Sequence, residues 1–91
     1  HLPARVIIDN TASKLHTLVE INATDRPGLL YDITATLAAE NMNIHAAKVA
    51  TFGRHAVDVF YIKDATGLKI EHSGRLASLE KALKIGLENR D

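Results

Sequence analysis

The hydrophobic pattern of this chain changes its period at the four-residue turn Asp25-Arg26-Pro27-Gly28. Before the turn, apolar residues alternate with polar ones from about Leu15 to Ala23, which is the period of a strand with one buried face. After the turn, apolar residues recur at the spacing of an amphipathic helix. The pattern therefore predicts a strand that leads through a tight turn into a helix, and the fold must accommodate this unit.

The two periods also assign each element a buried side. One face of the strand is predicted to carry Thr17, Val19, Ile21 and Ala23, and the other face Leu18, Glu20 and Asn22. The apolar stripe of the helix is predicted to consist of Leu30, Ile33, Leu37 and Ala38. Asp25 is the expected N-cap, Pro27 is expected in the first turn, and Asn41 is expected to end the helix in the left-handed conformation.

The remaining segments predict three more strands and a second helix. Arg5–Asp9 contains a β-branched run that suits a strand, and it should pair with the following strand as an antiparallel hairpin. Two further strands are predicted over residues 44–51 and 55–63, the latter with Val57, Val59 and Tyr61 facing the core. The last helix should be capped by Ser73. Its apolar face is predicted to consist of Leu76, Leu79, Leu83 and Leu87.

The order strand, strand, helix, strand, strand, helix predicts an α+β fold. Helices on one face of an antiparallel sheet form a ferredoxin-like two-layer sandwich, here without its usual last strand. We expect the N-terminal strand to take the vacant place beside the second strand. The 91 residues suffice for one core and contain no linker, so residues 1–91 are expected to form a single domain. The absence of an initiator Met suggests a piece of a larger protein.

Composition disfavours several classes of function. The 11 Lys and Arg residues balance the 11 Asp and Glu residues, so no basic field is expected to attract nucleic acid. No apolar run is long enough for a membrane span. The absence of cysteine removes disulfides and thiolate metal sites, and it fits a cytoplasmic location.

Catalytic chemistry finds no support in the spacing of reactive residues. Glu20 and Asp58 are expected to lie exposed on one face of the sheet, and no nucleophile, base and orienting group occur at usable spacing. Four histidines are expected at the surface or at strand edges, namely His16, His45, His55 and His72. Their scatter shows no ligand-like spacing. We predict no catalytic residue, no metal site and no cofactor within this chain.

The turn offers a chemistry of its own. A strand that opens into a helix presents free backbone N–H groups at the positive end of the helix dipole, where a carboxylate can bind. Gly28 would let such a ligand approach the backbone closely. The alternative is that Pro27-Gly28 makes a tight turn and binds nothing, and the local residues leave both readings open.

Residues 25–34 closely resemble the first turn and helix of ACT domains, which are amino-acid-sensing modules attached to metabolic enzymes. Asn43-Ile44 and Thr51-Phe52-Gly53 fit the same pattern. Together with residues 5–10, 56–64 and 67–70, the chain resembles the C-terminal ACT domains of bifunctional uridylyltransferase/uridylyl-removing enzymes. ACT domains usually end in a strand, whereas this chain ends on a predicted helix.

This resemblance implies a regulatory domain that binds an amino acid, with glutamine as the expected ligand. The implied ligand-binding residues are Asp25, Arg26, Pro27, Gly28, Leu29, Leu30, Asn43 and Ile44. Backbone N–H groups near Gly28 to Leu30 would take the carboxylate of the ligand. Asn43 would bond its amine or its side-chain amide.

The resemblance also implies partners and a parent enzyme. ACT domains commonly pair side by side, so a homodimer is expected, next to neighbouring ACT and catalytic domains. The parent would modify the PII nitrogen-signalling protein in the cytoplasm and depend on Mg²⁺, with its catalytic residues upstream of this chain. Two alternatives are a dimerisation or interdomain docking module without a small ligand, and an ACT domain of a guanosine tetraphosphate synthetase. Residues 58–64 and 67–70 argue against the latter.

Overall fold

The computed structural model describes residues 3–88, which form four strands and two helices. In chain order these are β1 (Arg5–Asp9), β2 (Thr17–Thr24), α1 (Leu29–Ala39), β3 (Asn43–Phe52), β4 (His55–Lys63) and α2 (Ser73–Glu88). The order of elements is the predicted one, and the predicted bounds of β1 and β4 match those observed.

The strands form one antiparallel sheet in the order β1-β2-β4-β3. β1 lies beside β2, with Val6 opposite Ile21. The predicted hairpin and the predicted position of the N-terminal strand are therefore confirmed. Within residues 3–88, β1 and β3 are the edge strands, and β4 occupies the middle of the sheet next to β2.

The core lies between one face of the sheet and the two helices. As predicted, the buried face of β2 carries Thr17, Val19, Ile21 and Ala23. The helices contribute Ile33, Leu37, Leu79, Leu83 and Leu87, and Leu76 packs against their edge. α1 packs on α2, and α2 packs across β1. The apolar face predicted for the last helix is confirmed.

The apolar stripe of α1 differs from the prediction by one position at its start. Leu29 is buried and Leu30 is 46% exposed, and the buried row of the helix is Leu29, Ile33 and Leu37. Successive helical residues are rotated by about 100°, so Leu30 and Ala38 lie beside this row rather than on it. Leu30 is thereby left at the surface near the start of the helix.

Two of the three predicted helix caps are wrong. α1 is preceded by Gly28, in the left-handed conformation, and not capped by Asp25. α2 includes Ser73, and the residue before it caps the helix: the Nδ1 atom of His72 accepts a hydrogen bond from the Gly74 N–H at 3.1 Å. Asn41 has a φ of 62°, which confirms the left-handed ending predicted after α1.

The two faces of β4 are the reverse of those predicted. Ala56, Asp58, Phe60 and Ile62 are buried and face the helices. Val57, Val59 and Tyr61 lie on the opposite face of the sheet, together with Glu20. Because apolar residues occupy both faces of β4, the prediction of its buried face depended on the expectation that Asp58 is exposed. Asp58 is buried instead, so the predicted orientation of β4 is wrong.

Candidate functional site

The residues between β2 and α1 form a type II turn. Gly28 has φ 82° and ψ −2°, which are the angles of the third residue of such a turn. The Leu29 N–H closes the turn on the Arg26 carbonyl at 3.2 Å. Pro27 suits the second position because its ring fixes φ there. The Pro-Gly pair is therefore required by the backbone, since a residue other than glycine at this φ would be strained.

Three contacts hold the turn in place. The Asp25 N–H donates to the Arg54 carbonyl at 2.7 Å, which ties the turn to the hairpin between β3 and β4. The Arg26 guanidinium contacts the Asp32 carboxylate at 2.9 Å and the Pro27 carbonyl at 3.3 Å. Arg26 thus braces the first turn of α1.

The start of α1 presents unbonded amide groups to its surroundings. The first bond of helical spacing runs from the Asp32 N–H to the Gly28 carbonyl at 2.9 Å. The N–H groups of Leu30 and Tyr31 precede this bond, and such amides at a helix start have no partner within the helix. They lie at the positive end of the helix dipole, which favours a carboxylate.

A pocket of about 280 Å³ lies between this turn, the C-terminal part of β3 and the N-terminal part of β4. This volume is close to the lower end of the range for small-molecule sites, so it suits a small ligand. Its walls combine charged, polar and apolar side chains. The lining residues are Asp25, Arg26, Gly28, Leu29, Leu30, Tyr31, Val49, Thr51, Ala56 and Asp58.

Asp58 is the buried ionisable group of this pocket. Its side chain is on the helix-facing side of β4, and the residue is only 2% exposed. Its Oδ1 atom has no hydrogen-bond partner among residues 3–88. Burial raises the pKa of this carboxyl, the Ala50 backbone amide opposes the rise, and the nearby Asp25 charge adds to it.

The structure brings together most of the predicted site residues. Asp25, Arg26, Gly28, Leu29 and Leu30 line the pocket, and Pro27 shapes the turn beside it. The sequence prediction did not include the remaining lining residues, which are Tyr31, Val49, Thr51, Ala56 and Asp58. The usable signal for Asp58 was a carboxylate in the middle of an otherwise apolar strand.

Asn43 and Ile44 lie away from the pocket within this chain. They begin β3, whereas Thr51 of the pocket lies near its end, about 25 Å along an extended strand. The Asn43 side-chain amide lies 3.4 Å from the Asp64 carbonyl, in the loop after β4. The same chain therefore does not bring Asn43 to a ligand at the turn.

The internal histidines do not converge on the pocket. His45, His55 and His72 are exposed, as predicted, but His16 is partly buried. Its ring lies 5.1 Å from that of His45 and 6.1 Å from that of Tyr61, on the sheet face away from the helices. Burial and the nearby charge of Lys63 lower the pKa of His16.

Neither a metal cluster nor a membrane helix is found in the part of the chain that the structure describes. Within residues 3–88, no three His, Cys, Asp or Glu side chains are grouped so that they could hold a metal ion. Over the same range, no helix is long and apolar enough to cross a membrane.

The chain is similar to part of a set of bacterial enzymes. It is 51% identical over 83 residues to the bifunctional uridylyltransferase/uridylyl-removing enzyme of Azospirillum brasilense, a match that covers 91% of the chain. It is 49% identical over 87 residues to the enzyme of that name from Gluconobacter oxydans, which covers 96% of the chain. The chain spans about 9% of the length of each relative, in the C-terminal region.

Two further comparisons concern the domain itself. A solved structure of an unknown protein from Galdieria sulphuraria matches with a TM-score of 0.63 at 18% identity, over 79% of this chain and 38% of the other, and shows the same fold. The family model described as an ACR9-like, ACT-like domain matches residues 5–90, which is nearly the whole sequence. The chain therefore belongs to the ACT-like domain family.

Proposed function

We propose that this chain is the amino-acid-sensing regulatory domain of a bifunctional uridylyltransferase/uridylyl-removing enzyme, and that its ligand is glutamine. The observation that carries the proposal is the pocket beside the turn, which is lined both by the start of α1, with its open amides, and by the buried carboxylate of Asp58. An amino acid carries the two complementary charges, an ammonium and a carboxylate, on the same α-carbon. The similarity to the bacterial enzymes supports the proposed parent.

The pocket favours glutamine over glutamate on electrostatic grounds. The α-carboxylate of either ligand would accept hydrogen bonds from the N–H groups of Leu30 and Tyr31. A second carboxylate on the side chain of the ligand would enter a space that already holds Asp25 and Asp58. Like charges at short range repel strongly in a partly buried site, whereas a neutral amide does not.

A homodimer would explain why the resemblance includes Asn43 and Ile44. β3 is an edge strand whose side chains are mostly exposed on both faces. If two copies pair antiparallel along β3, the start of one strand lies opposite the end of the other. The partner's Asn43 would then approach the pocket of the first chain near Thr51, where it could bond the side-chain amide of the ligand.

The rest of the proposed function lies outside this chain. The catalytic domains of the parent would attach UMP to the PII protein and remove it, in the cytoplasm, with Mg²⁺ as their cofactor. This domain would report the nitrogen state to them through contacts with a neighbouring ACT domain. The sequence of the full parent supplies a direct check, because a nucleotidyltransferase aspartate pair should precede this chain.

Calorimetry on the 91-residue chain tests the ligand. Injection of glutamine should release heat that saturates, and injection of glutamate under identical conditions should give at least about tenfold weaker binding, since one such repulsion is worth more than 1.4 kcal/mol. Circular dichroism and light scattering on the same sample establish its fold and its state of assembly. A folded dimer that gives no heat up to millimolar glutamine would contradict the proposal.

The exposed apolar residues of β3 support a second candidate, a docking module without a ligand. Val49 is 57% exposed and Phe52 is 67% exposed, so this edge could serve assembly alone. A Gly28→Ala variant separates the two functions. With a Cβ at a φ of 82°, the turn should be strained by about 1–2 kcal/mol, and the Leu30 and Tyr31 amides should be displaced.

The matched control is Gly67→Ala, which introduces the same strain at a φ of 81° in a loop remote from the turn. Both variants should lose similar stability in urea unfolding. For a sensor, Gly28→Ala alone should weaken glutamine binding by about tenfold or more, with the dimer intact. Equal glutamine binding by both variants would favour the docking module.

A further inference from the structure

Asp58 is unusual among the buried polar residues of this domain. Among residues 3–88 the buried polar side chains are Thr17 and Asp58. The Thr17 hydroxyl donates to the Asn10 side chain at 2.6 Å and accepts from the Ile70 N–H at 3.0 Å. Asp58 Oδ1 has no such partner in the described residues. A buried carboxylate oxygen without a partner is costly, so it requires a compensating role.

The groups around Asp58 favour a cation as the partner of its carboxylate. On its own strand and on β2, its neighbours in the core are apolar, with Ile21 directly opposite. Val49 lies opposite on β3. From the turn, Asp25 contributes a second negative charge to the pocket. The Arg26 guanidinium contacts Asp32 at 2.9 Å and makes no hydrogen bond to Asp58 Oδ1.

We propose, resting on the proposed function, that Asp58 binds the ammonium group of the ligand and thereby restricts the pocket to ligands with a protonated amine. The ammonium would supply the hydrogen bonds and the positive charge that Oδ1 lacks. The α-carboxylate on the amides of Leu30 and Tyr31 would fix the other end of the same α-carbon. Asp58, rather than Asn43 of the same chain, then selects amino acids over acids without an amine.

The proposed role of Asp58 predicts a specific order of ligand affinities. A 2-hydroxy or 2-oxo acid with the side chain of glutamine keeps the carboxylate and the amide but lacks the ammonium. Such a ligand leaves Asp58 Oδ1 buried and without a partner. Removing one partner of a buried charge pair commonly reduces affinity by about 30-fold or more, so these analogues should bind at least that much more weakly than glutamine.

Calorimetry with two ligands and three proteins tests this assignment. The ligands are glutamine and its 2-hydroxy analogue. The proteins are the unmodified 91-residue chain, which is called the parent chain below, and the variants Asp58→Asn and Glu20→Gln. Asp58→Asn keeps the shape of the side chain and removes its charge. Glu20→Gln makes the same change on the adjacent strand but on the opposite face of the sheet, so it controls for net charge.

The parent chain and Glu20→Gln should prefer glutamine by about 30-fold or more, and Asp58→Asn should lose most of this preference. Unfolding curves of the three proteins establish that each is folded. Glutamine binding by the parent chain with the same preference in Asp58→Asn would overturn the role of Asp58 and leave the proposed function standing. Absence of amino-acid binding by the parent chain would overturn both.

A second readout distinguishes direct binding from an indirect effect of the substitution. The ¹³Cγ resonance of Asp58 reports its ionisation in the unmodified chain. Bound glutamine should lower the pKa of Asp58, because a nearby ammonium favours the carboxylate. An unchanged titration of Asp58 in the glutamine complex would overturn direct contact with the amine.

Discussion

At the scale of single residues, Asp58 is the residue that indicates a functional site most directly. The residue occupies a core position on β4, where an apolar side chain would stabilise the fold. Its carboxylate instead lines a pocket and lacks a partner at Oδ1 among residues 3–88. Functional sites commonly retain groups that the folded state alone would not favour, and Asp58 fits that description.

The raised pKa of Asp58 predicts a specific dependence of stability on pH. The folded state holds the proton of Asp58 more tightly than the unfolded state does. The free energy of unfolding should therefore fall as the pH rises from the ordinary value of 3.8 through the raised pKa of the folded state. Asp58→Asn should lack this decline and gain on the order of 1–2 kcal/mol over the parent chain at neutral pH.

Urea unfolding of both proteins at pH 4 and pH 7 measures this effect. The advantage of Asp58→Asn should be larger at pH 7 than at pH 4, and Glu20→Gln should show no comparable change between the two. An advantage of Asp58→Asn that is equal at both pH values would show that burial does not raise the pKa of this carboxyl.

At the scale of elements, the close approach of the two helices depends on Gly86. A Cβ added at this position would lie 2.5 Å from the Oγ1 atom of Thr36 on α1. Alanine usually favours a helix over glycine by about 1 kcal/mol. Here the steric overlap should win, and Gly86→Ala should destabilise the domain by about 1–3 kcal/mol in urea unfolding.

The paired substitution Thr36→Ala tests the cause. It removes the Oγ1 atom that the new Cβ would meet, although it also removes the hydrogen bond from Thr36 to the Asp32 carbonyl at 2.8 Å. Gly86→Ala should therefore cost much less stability when it is introduced into the Thr36→Ala variant than when it is introduced into the unmodified chain. If the stability losses of the two single variants simply add in the double variant, the overlap with Thr36 Oγ1 is not the cause of the loss.

The sequence predicted the buried faces of β2 and α2 well because both elements have a clear period. Alternation in β2 and the leucine spacing of α2 each identify a single buried face, and the structure confirms both. β4 has apolar residues on both faces, so its orientation depends on pairing with β2, which is a long-range property. The Asp25 cap failed for a local reason: the Arg26 to Leu29 turn places Gly28, rather than Asp25, before the helix.

The same distinction applies to the candidate site. The turn and the start of α1 are contiguous in sequence, and the resemblance to ACT domains implied most of the residues that they contribute to the pocket. Val49, Thr51, Ala56 and Asp58 come from strands that reach the turn only through the sheet. No local pattern encodes that proximity, because it depends on strand order and register.

At the scale of the whole molecule, β3 and the start of α1 leave a partly apolar surface at one side of the sheet. Ile44, Val49 and Phe52 on β3 are exposed, as are Leu30 and Tyr31 on α1. An open edge strand with apolar side chains is a natural surface for pairing with another strand. This arrangement supports the proposed side-by-side homodimer through β3.

Substitutions on the two edge strands test which edge pairs. Ile44 on β3 is 38% exposed and Ile7 on β1 is 39% exposed, so they form a matched pair. Ile44→Glu should convert a dimer to a monomer, because two buried carboxylates at the interface are costly, whereas Ile7→Glu should leave it dimeric. Sedimentation equilibrium measures both. Dissociation by Ile7→Glu alone would place the interface on β1.

The most direct test of the central claim is a map of amide chemical shifts during titration of the 91-residue chain with glutamine. The proposed site predicts the largest changes at Gly28, Leu30, Tyr31 and Asp58, with saturation at one ligand per pocket. It predicts small changes in the remote loop around Gly67. Saturating changes centred on that loop, with the turn and β4 unaffected, would contradict the assignment of the ligand to this pocket.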